Sequence, residues 1–141
     1  MGSLKKTLAK KKEKKEQKKT IVPLENKMKR LLADEEYEQA LYVGAELIQS
    51  GERKASLMYD IAWSYFKTRD YERAAKWVDN TLQQDTSHVE ARILLARICM
   101  IQNRMKDGIA VYRYLYDNCY TMLNEVQRDT IKDMLVVCEN M

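Results

Sequence analysis

Residues able to serve as acid, base or nucleophile are sparse in this 141-residue chain. His88 is the only histidine, and Cys99, Cys119 and Cys138 are too widely spaced to form a C-x-x-C pair. A zinc site needs several such ligands at short spacing, so none is expected. There is no glycine-rich phosphate loop and no acidic calcium loop. The run Asp34-Glu35-Glu36 falls where a helix would start, a place that suits acids because of the helix dipole. His88 falls in a link between helices, with no cysteine near it in sequence. No catalytic constellation, metal or cofactor is expected, and binding is favoured over catalysis. An odd cysteine count also argues against a secreted disulfide scaffold, so the three thiols read as reduced packing residues.

The densest chemistry is positive charge. Residues 1–20 hold Lys5, Lys6, Lys10, Lys11, Lys12, Lys14, Lys15, Lys18 and Lys19 against only Glu13 and Glu16. The whole chain carries +4, so a basic arm precedes a mildly acidic body. Lysines this close repel one another and offer nothing to bury, which predicts a disordered tail or a frayed, solvated helix. The arm has no arginine for bidentate phosphate contacts and no aromatic ring for stacking on bases. Its functional reading is therefore a non-specific polyanion contact with RNA, the ribosome or an anionic membrane, made by Lys10, Lys11, Lys12, Lys14, Lys15, Lys18 and Lys19. Residues 1–20 lack the apolar centre of a secretory signal, and no apolar run reaches the roughly 20 residues that span a bilayer. The expected location is the cytoplasm.

One proline and four glycines favour helices over a turn-rich β fold. A period of 34 residues then becomes visible. Glu36-Tyr37-Glu38-Gln39-Ala40-Leu41 corresponds to Asp70-Tyr71-Glu72-Arg73-Ala74-Ala75 and to Arg104-Met105-Lys106-Asp107-Gly108-Ile109. Apolar residues three and four apart define the flanking helices: Met58, Ile61, Ala62 and Tyr65 in one, Leu94, Leu95, Ala96 and Cys99 in its counterpart. Two antiparallel helices approach within about 8–10 Å only where the crossing side chains are short, which explains Ala40, Ala74 and Gly108. Each pair buries one face and needs a neighbour for the other.

Residues 55–88 resemble the tetratricopeptide repeat. Its eight signature positions fall on Met58, Ile61, Ala62, Tyr65, Ala74, Val78, Thr81 and Thr86, the last two departing from the usual alanine and proline. Residues 89–122 are a looser repeat, and 21–54 a degenerate one with Lys27 at a normally apolar position. The resemblance implies an all-α, right-handed α-α superhelix of about seven helices: an arm over 1–20, then a domain over 21–141. A last helix over about 123–140 would cap the solenoid. Asn124 and Gln127 are spaced for a capping box, and Met122, Leu123, Val126, Ile131, Met134, Leu135 and Cys138 would form its apolar side.

In that family the first helix of each repeat lines a concave groove that holds a partner polypeptide. Carried across, the lining is Lys29, then Tyr59, Asp60, Trp63, Phe66 and Lys67, then Glu90, Ile93, Arg97 and Met100. Tyr59, Trp63, Phe66, Ile93 and Met100 would make an apolar floor, and Asp60, Lys67, Glu90 and Arg97 a charged rim, the usual make-up of a binding hot spot. The implied function is a protein-interaction module, an adaptor or a small client-specific chaperone. The competing reading has the chain's own C-terminal helix or arm fill the groove and turn these residues into core. Pairing of the groove or the cap with a second copy is a third possibility. Members that grip acidic chaperone tails use lysine, asparagine and arginine, where this chain has Glu25, Lys29, Asp60, Glu90 and Leu94. Binding of such tails is not expected.

Overall fold

The computed structural model describes the backbone of residues 2–140, and within it all side chains except those of Gly2 and residues 12–20. Seven α-helices follow one another: α1 (Gly2–Ala33), α2 (Tyr37–Gln49), α3 (Ala55–Lys67), α4 (Tyr71–Gln84), α5 (Val89–Ile101), α6 (Met105–Asn118) and α7 (Glu125–Glu139). A 3₁₀ turn over Tyr120–Met122 joins the last two, and no strand occurs among the described residues. The chain forms two compact units, residues 1–53 and 54–141. In the first, α1 packs on α2; in the second, α3 packs on α4, α4 on α5, α5 on α6 and α6 on α7.

The period seen in the sequence is also a period in the backbone. Glu35, Arg69 and Asn103 stand 34 residues apart, and all three are left-handed, with φ of 58°, 65° and 60°. Each ends the first helix of its hairpin. The amide of the following residue then reaches back five residues: Glu36 to the Leu31 carbonyl (2.8 Å), Asp70 to Tyr65 (2.9 Å), Arg104 to Cys99 (2.8 Å). This is the Schellman arrangement, which satisfies carbonyls a helix end leaves open and turns the chain sharply.

Two cores fill the second unit. Ala62, Phe66, Ala74, Val78, Ala91, Leu94 and Ile98 form one. Val89, Ala96, Tyr112, Leu115, Cys119, Leu123, Ile131 and Leu135 form the other, which ties α5, α6 and α7 together. Cys99 and Cys119 are buried and Cys138 is half-buried, all three as free thiols.

Some expectations change. Of the two forms expected for the arm, the structure shows the helix: α1 runs unbroken from Gly2 to Ala33 with Pro23 inside. Lysine, glutamate, leucine and alanine are strong helix formers, so the local sequence supports the helix even where nothing is buried. The side chains from Ser3 to Lys11 are all exposed; those of Lys12, Lys14, Lys15, Lys18 and Lys19 lie outside the described residues. His88 is no loose link residue but the N-cap of α5, its Nδ1 accepting the Ala91 amide at 3.1 Å. On α7 the Asn124–Gln127 capping box forms in both directions, at 2.8 and 2.9 Å. Val126, however, is 74% exposed. It stands five residues before Ile131, roughly 140° around the helix and so off the stripe that Ile131 and Leu135 bury. Met122 belongs to the 3₁₀ turn and is exposed as well.

Candidate functional site

Within residues 54–141 the helices enclose an open cleft of about 360 Å³. Three helices supply its walls and a fourth its base. Tyr59 and Trp63, one turn apart on α3, face it from one side. From α5 come Glu90, Ile93, Leu94 and Arg97, spaced at three and four so that one face of that helix is presented. Val126, Gln127, Thr130 and Ile131 of α7 close the other side, and Tyr112 of α6 lies at the bottom. Leu94, Tyr112 and Ile131 belong both to the lining and to the cores, which gives the lining a rigid backing.

Aromatic rings and cations gather around Trp63 on the α3 side of the cleft. Trp63 stacks on Phe66 with centroids 5.6 Å apart, and Phe66 meets the edge of Tyr71 at 5.7 Å. The Arg97 guanidinium lies 4.8 Å from the Phe66 centroid and 5.7 Å from that of Trp63, while Lys67 Nζ is 5.5 Å from Trp63. Two cations thus converge on one indole, a favourable placement over the negative face of the ring. At the other end, Tyr59 packs against the His88 ring at 5.0 Å. Burial, aided by the carboxylates of Glu90 and Asp60, pushes the Tyr59 hydroxyl up to about 12, with Arg97 opposing. Tyr59 therefore stays a neutral donor throughout the physiological range. Burial likewise raises Tyr112, again with Arg97 close enough to oppose it.

Of the residues expected in the groove, the structure brings Tyr59, Trp63, Glu90, Ile93 and Arg97 together around the cleft, with Lys67 over the Trp63 ring. Phe66 is only 8% exposed and belongs to the core beneath. Met100 also turns inward: its Cε lies 3.0 Å from where a side chain on Gly108 would begin. Asp60 is half-buried on α3 and does not line the cleft, although its charge reaches Tyr59. Lys29 sits exposed on α1, in the other unit. The C-terminal helix, expected from the sequence as a cap or as a filling for the groove, forms one wall of the cleft. Its one advance signal is Val126, an apolar residue out of phase with the stripe its own helix buries. Among the described residues no group of histidine, cysteine and acids is arranged to hold a metal, and no helix is long and apolar enough to cross a membrane.

Comparison with known proteins follows the same lines. The model of the family described as anaphase-promoting complex, cyclosome, subunit 3 matches residues 33–115. No curated protein matches by sequence. Among solved structures, the second TPR domain of human RPAP3, in complex with the HSP70 peptide SGPTIEEVD, is similar with a TM-score of 0.67 at 17% identity. The match covers 82% of this chain and 98% of that one. The Sgt2 TPR domain from Aspergillus fumigatus gives a TM-score of 0.69 at 14% identity, covering 86% and 78% of the two chains. The first TPR domain of human RPAP3 gives 0.66 at 15%, covering 85% and 95%. Identities this low speak for the fold alone. The family match spans more than half of the chain, and the helices, their turns and the solved relatives agree with it: the protein belongs to the anaphase-promoting complex subunit 3 family and is a tetratricopeptide-repeat protein.

Proposed function

We propose that this protein is an adaptor or small client-specific chaperone that holds a segment of a partner polypeptide in the cleft walled by α3, α5 and α7. The observation that carries the reading is the cleft itself: it stays open beside α7, with Trp63 half-buried and Val126 exposed on its walls. Had the chain's last helix closed over α3 and α5, these side chains would be core. An apolar centre of tryptophan, tyrosine and isoleucine with charges at its ends is the composition that concentrates binding energy. The solved relatives include one in complex with a peptide, which supports a peptide partner by analogy of fold. Buried free thiols suit a reducing compartment, and the reading places the protein in the cytoplasm as a binding module rather than an enzyme.

The test is a random peptide library displayed on phage and selected on the intact protein. Enriched sequences, synthesised, should bind with micromolar affinity. Trp63→Ala and Val126→Asp should each weaken binding at least tenfold while leaving the melting temperature within a few degrees. Selection of nothing, or of peptides indifferent to both substitutions, would reject the reading. The peptide SGPTIEEVD should not bind, because Glu90 stands on the cleft wall where an acidic tail needs a cation.

A second reading rests on α1. Lys5, Lys6, Lys10 and Lys11 are exposed along a helix that continues past its packed part. It would contact polyanions without sequence preference. Deleting residues 1–20 should then abolish salt-sensitive binding to homopolymeric RNA or heparin and leave peptide capture intact.

A further inference from the structure

Arg97 stands in the cleft without an anion. Its guanidinium is spread over Phe66 and Trp63, and among the described residues no carboxylate comes within ion-pair distance of it. Tyr112, at the bottom of the same cleft, is 5% exposed. Arg97 is exposed at the cleft, so its forked donor, backed by aromatic faces, is available to a carboxylate. Glu90 marks the other end of the α5 wall. Its nearest cation candidate, His88 Nδ1, is 3.8 Å away and already accepts the Ala91 amide, so it has no proton to offer in that arrangement. Seven residues of helix put Glu90 and Arg97 about 10 Å apart, with Ile93 and Leu94 between them.

We infer that the cleft recognises an internal segment carrying one acidic side chain for Arg97 and one basic side chain for Glu90, about 10 Å apart, with an aliphatic or aromatic side chain between them on Ile93, Trp63 and Val126. This rests on the groove reading above and specifies its ligand. The spacing corresponds to three residues of extended chain or seven of helix. The cleft is open, so a bound segment can continue past each end. Position matters too: Arg97 lies one turn beyond Leu94, so it is not one of the positions from which related proteins clamp acidic tails. The discrimination comes from opposite charges at fixed separation, and a segment with acids at both ends meets repulsion at Glu90.

The test extends the phage selection, with peptides fused through their C-termini so that no terminal carboxylate is free. Wild-type protein should enrich an acid on one side of an apolar residue and a base on the other. Synthetic versions with amidated and free C-termini should bind alike. Arg97→Glu should weaken them at least tenfold with an unchanged circular dichroism spectrum, Arg97→Lys should weaken them less, and selection repeated on Arg97→Glu should replace the acid with lysine or arginine. If peptides bind and respond to Trp63→Ala but show no acid preference, or ignore Arg97→Glu, this inference is overturned while the groove reading stands. A clear preference for the free C-terminus overturns it in the same way. If wild type selects nothing, or only peptides that ignore Trp63→Ala, both fall.

Discussion

The hairpins α3–α4 and α5–α6 repeat the same backbone 34 residues apart, yet they fill the crossing between their helices in different ways. In the first, Ala62 and Ala74 are both fully buried in one core with Phe66. In the second, Ala96 and Gly108 take the equivalent places, and a side chain begun at Gly108 would come within 3.2 Å of the Ala96 carbonyl and 3.0 Å of Met100 Cε. Phe66 and Met100 are equivalent too. The rigid ring packs between Trp63 and Tyr71 above an alanine; the flexible thioether bends into the space an absent methyl leaves. Both positions are smaller in the second hairpin, and the thioether closes the gap because it can bend. One consequence is functional: both residues are committed to the crossing, and neither lines the cleft.

The largest effect should come from overfilling the tighter-specified crossing. Ala74→Leu adds three carbons where no space is exposed, and should cost about 3 kcal/mol in a denaturant titration, the upper end of ordinary overpacking. A loss under about 1 kcal/mol would mean that Phe66 can move as freely as Met100, and the contrast between the hairpins would disappear. Next is α7, which packs on α6 alone among the helices of its unit with more than slight contact. Asn124→Ala removes the capping box and should cost about 1 kcal/mol. The loss should appear as faster hydrogen exchange in α7 before α3 or α4. Gly108→Ala tests the thioether directly. Helix propensity favours alanine by about 1 kcal/mol, but the two close contacts oppose it. The expected net is a loss of about 1 kcal/mol that shrinks by at least half in a Met100→Ala background, because the groups are coupled.

The helices and their pairing were legible in the sequence because a 34-residue period and a 3.6-residue apolar stripe come from backbone geometry, which any sequence for this fold must respect. The cap of α7 was legible for the same reason, since Asn124 and Gln127 have one use at that spacing. The cleft was only half legible. Tyr59, Trp63, Ile93 and Arg97 could be placed by repeat position, but the wall from α7 could not, because that helix follows the repeats rather than repeating. Met100 and Phe66 were misplaced because the repeat fixes where a Cα stands, whereas the side chain's direction answers to Gly108 and Tyr71 opposite. The continuity of α1 was hidden for another reason. Charge repulsion argues for an unfolded arm and intrinsic propensity for a helix, and the two differ by too little for composition to decide.

The smallest effects should come from the turns, where the hairpins are most alike. Arg69 and Asn103 hold the same left-handed conformation, at φ of 65° and 60°. A side chain there pushes Cβ toward the neighbouring carbonyl at about 1–2 kcal/mol for most residues, less for asparagine, whose short amide tolerates the region. Glycine removes the strain but frees the unfolded chain, which returns roughly half of the gain. Arg69→Gly should therefore stabilise the protein by about 0.5–1 kcal/mol, and Asn103→Gly by no more than a few tenths. Both side chains are exposed, so little packing is lost in either case. Glu35→Gly, at the equivalent turn of α1–α2, should resemble Arg69→Gly. If asparagine and arginine give the same gain, side-chain tolerance of the left-handed region does not set the ranking, and the turns differ instead through the helices they join.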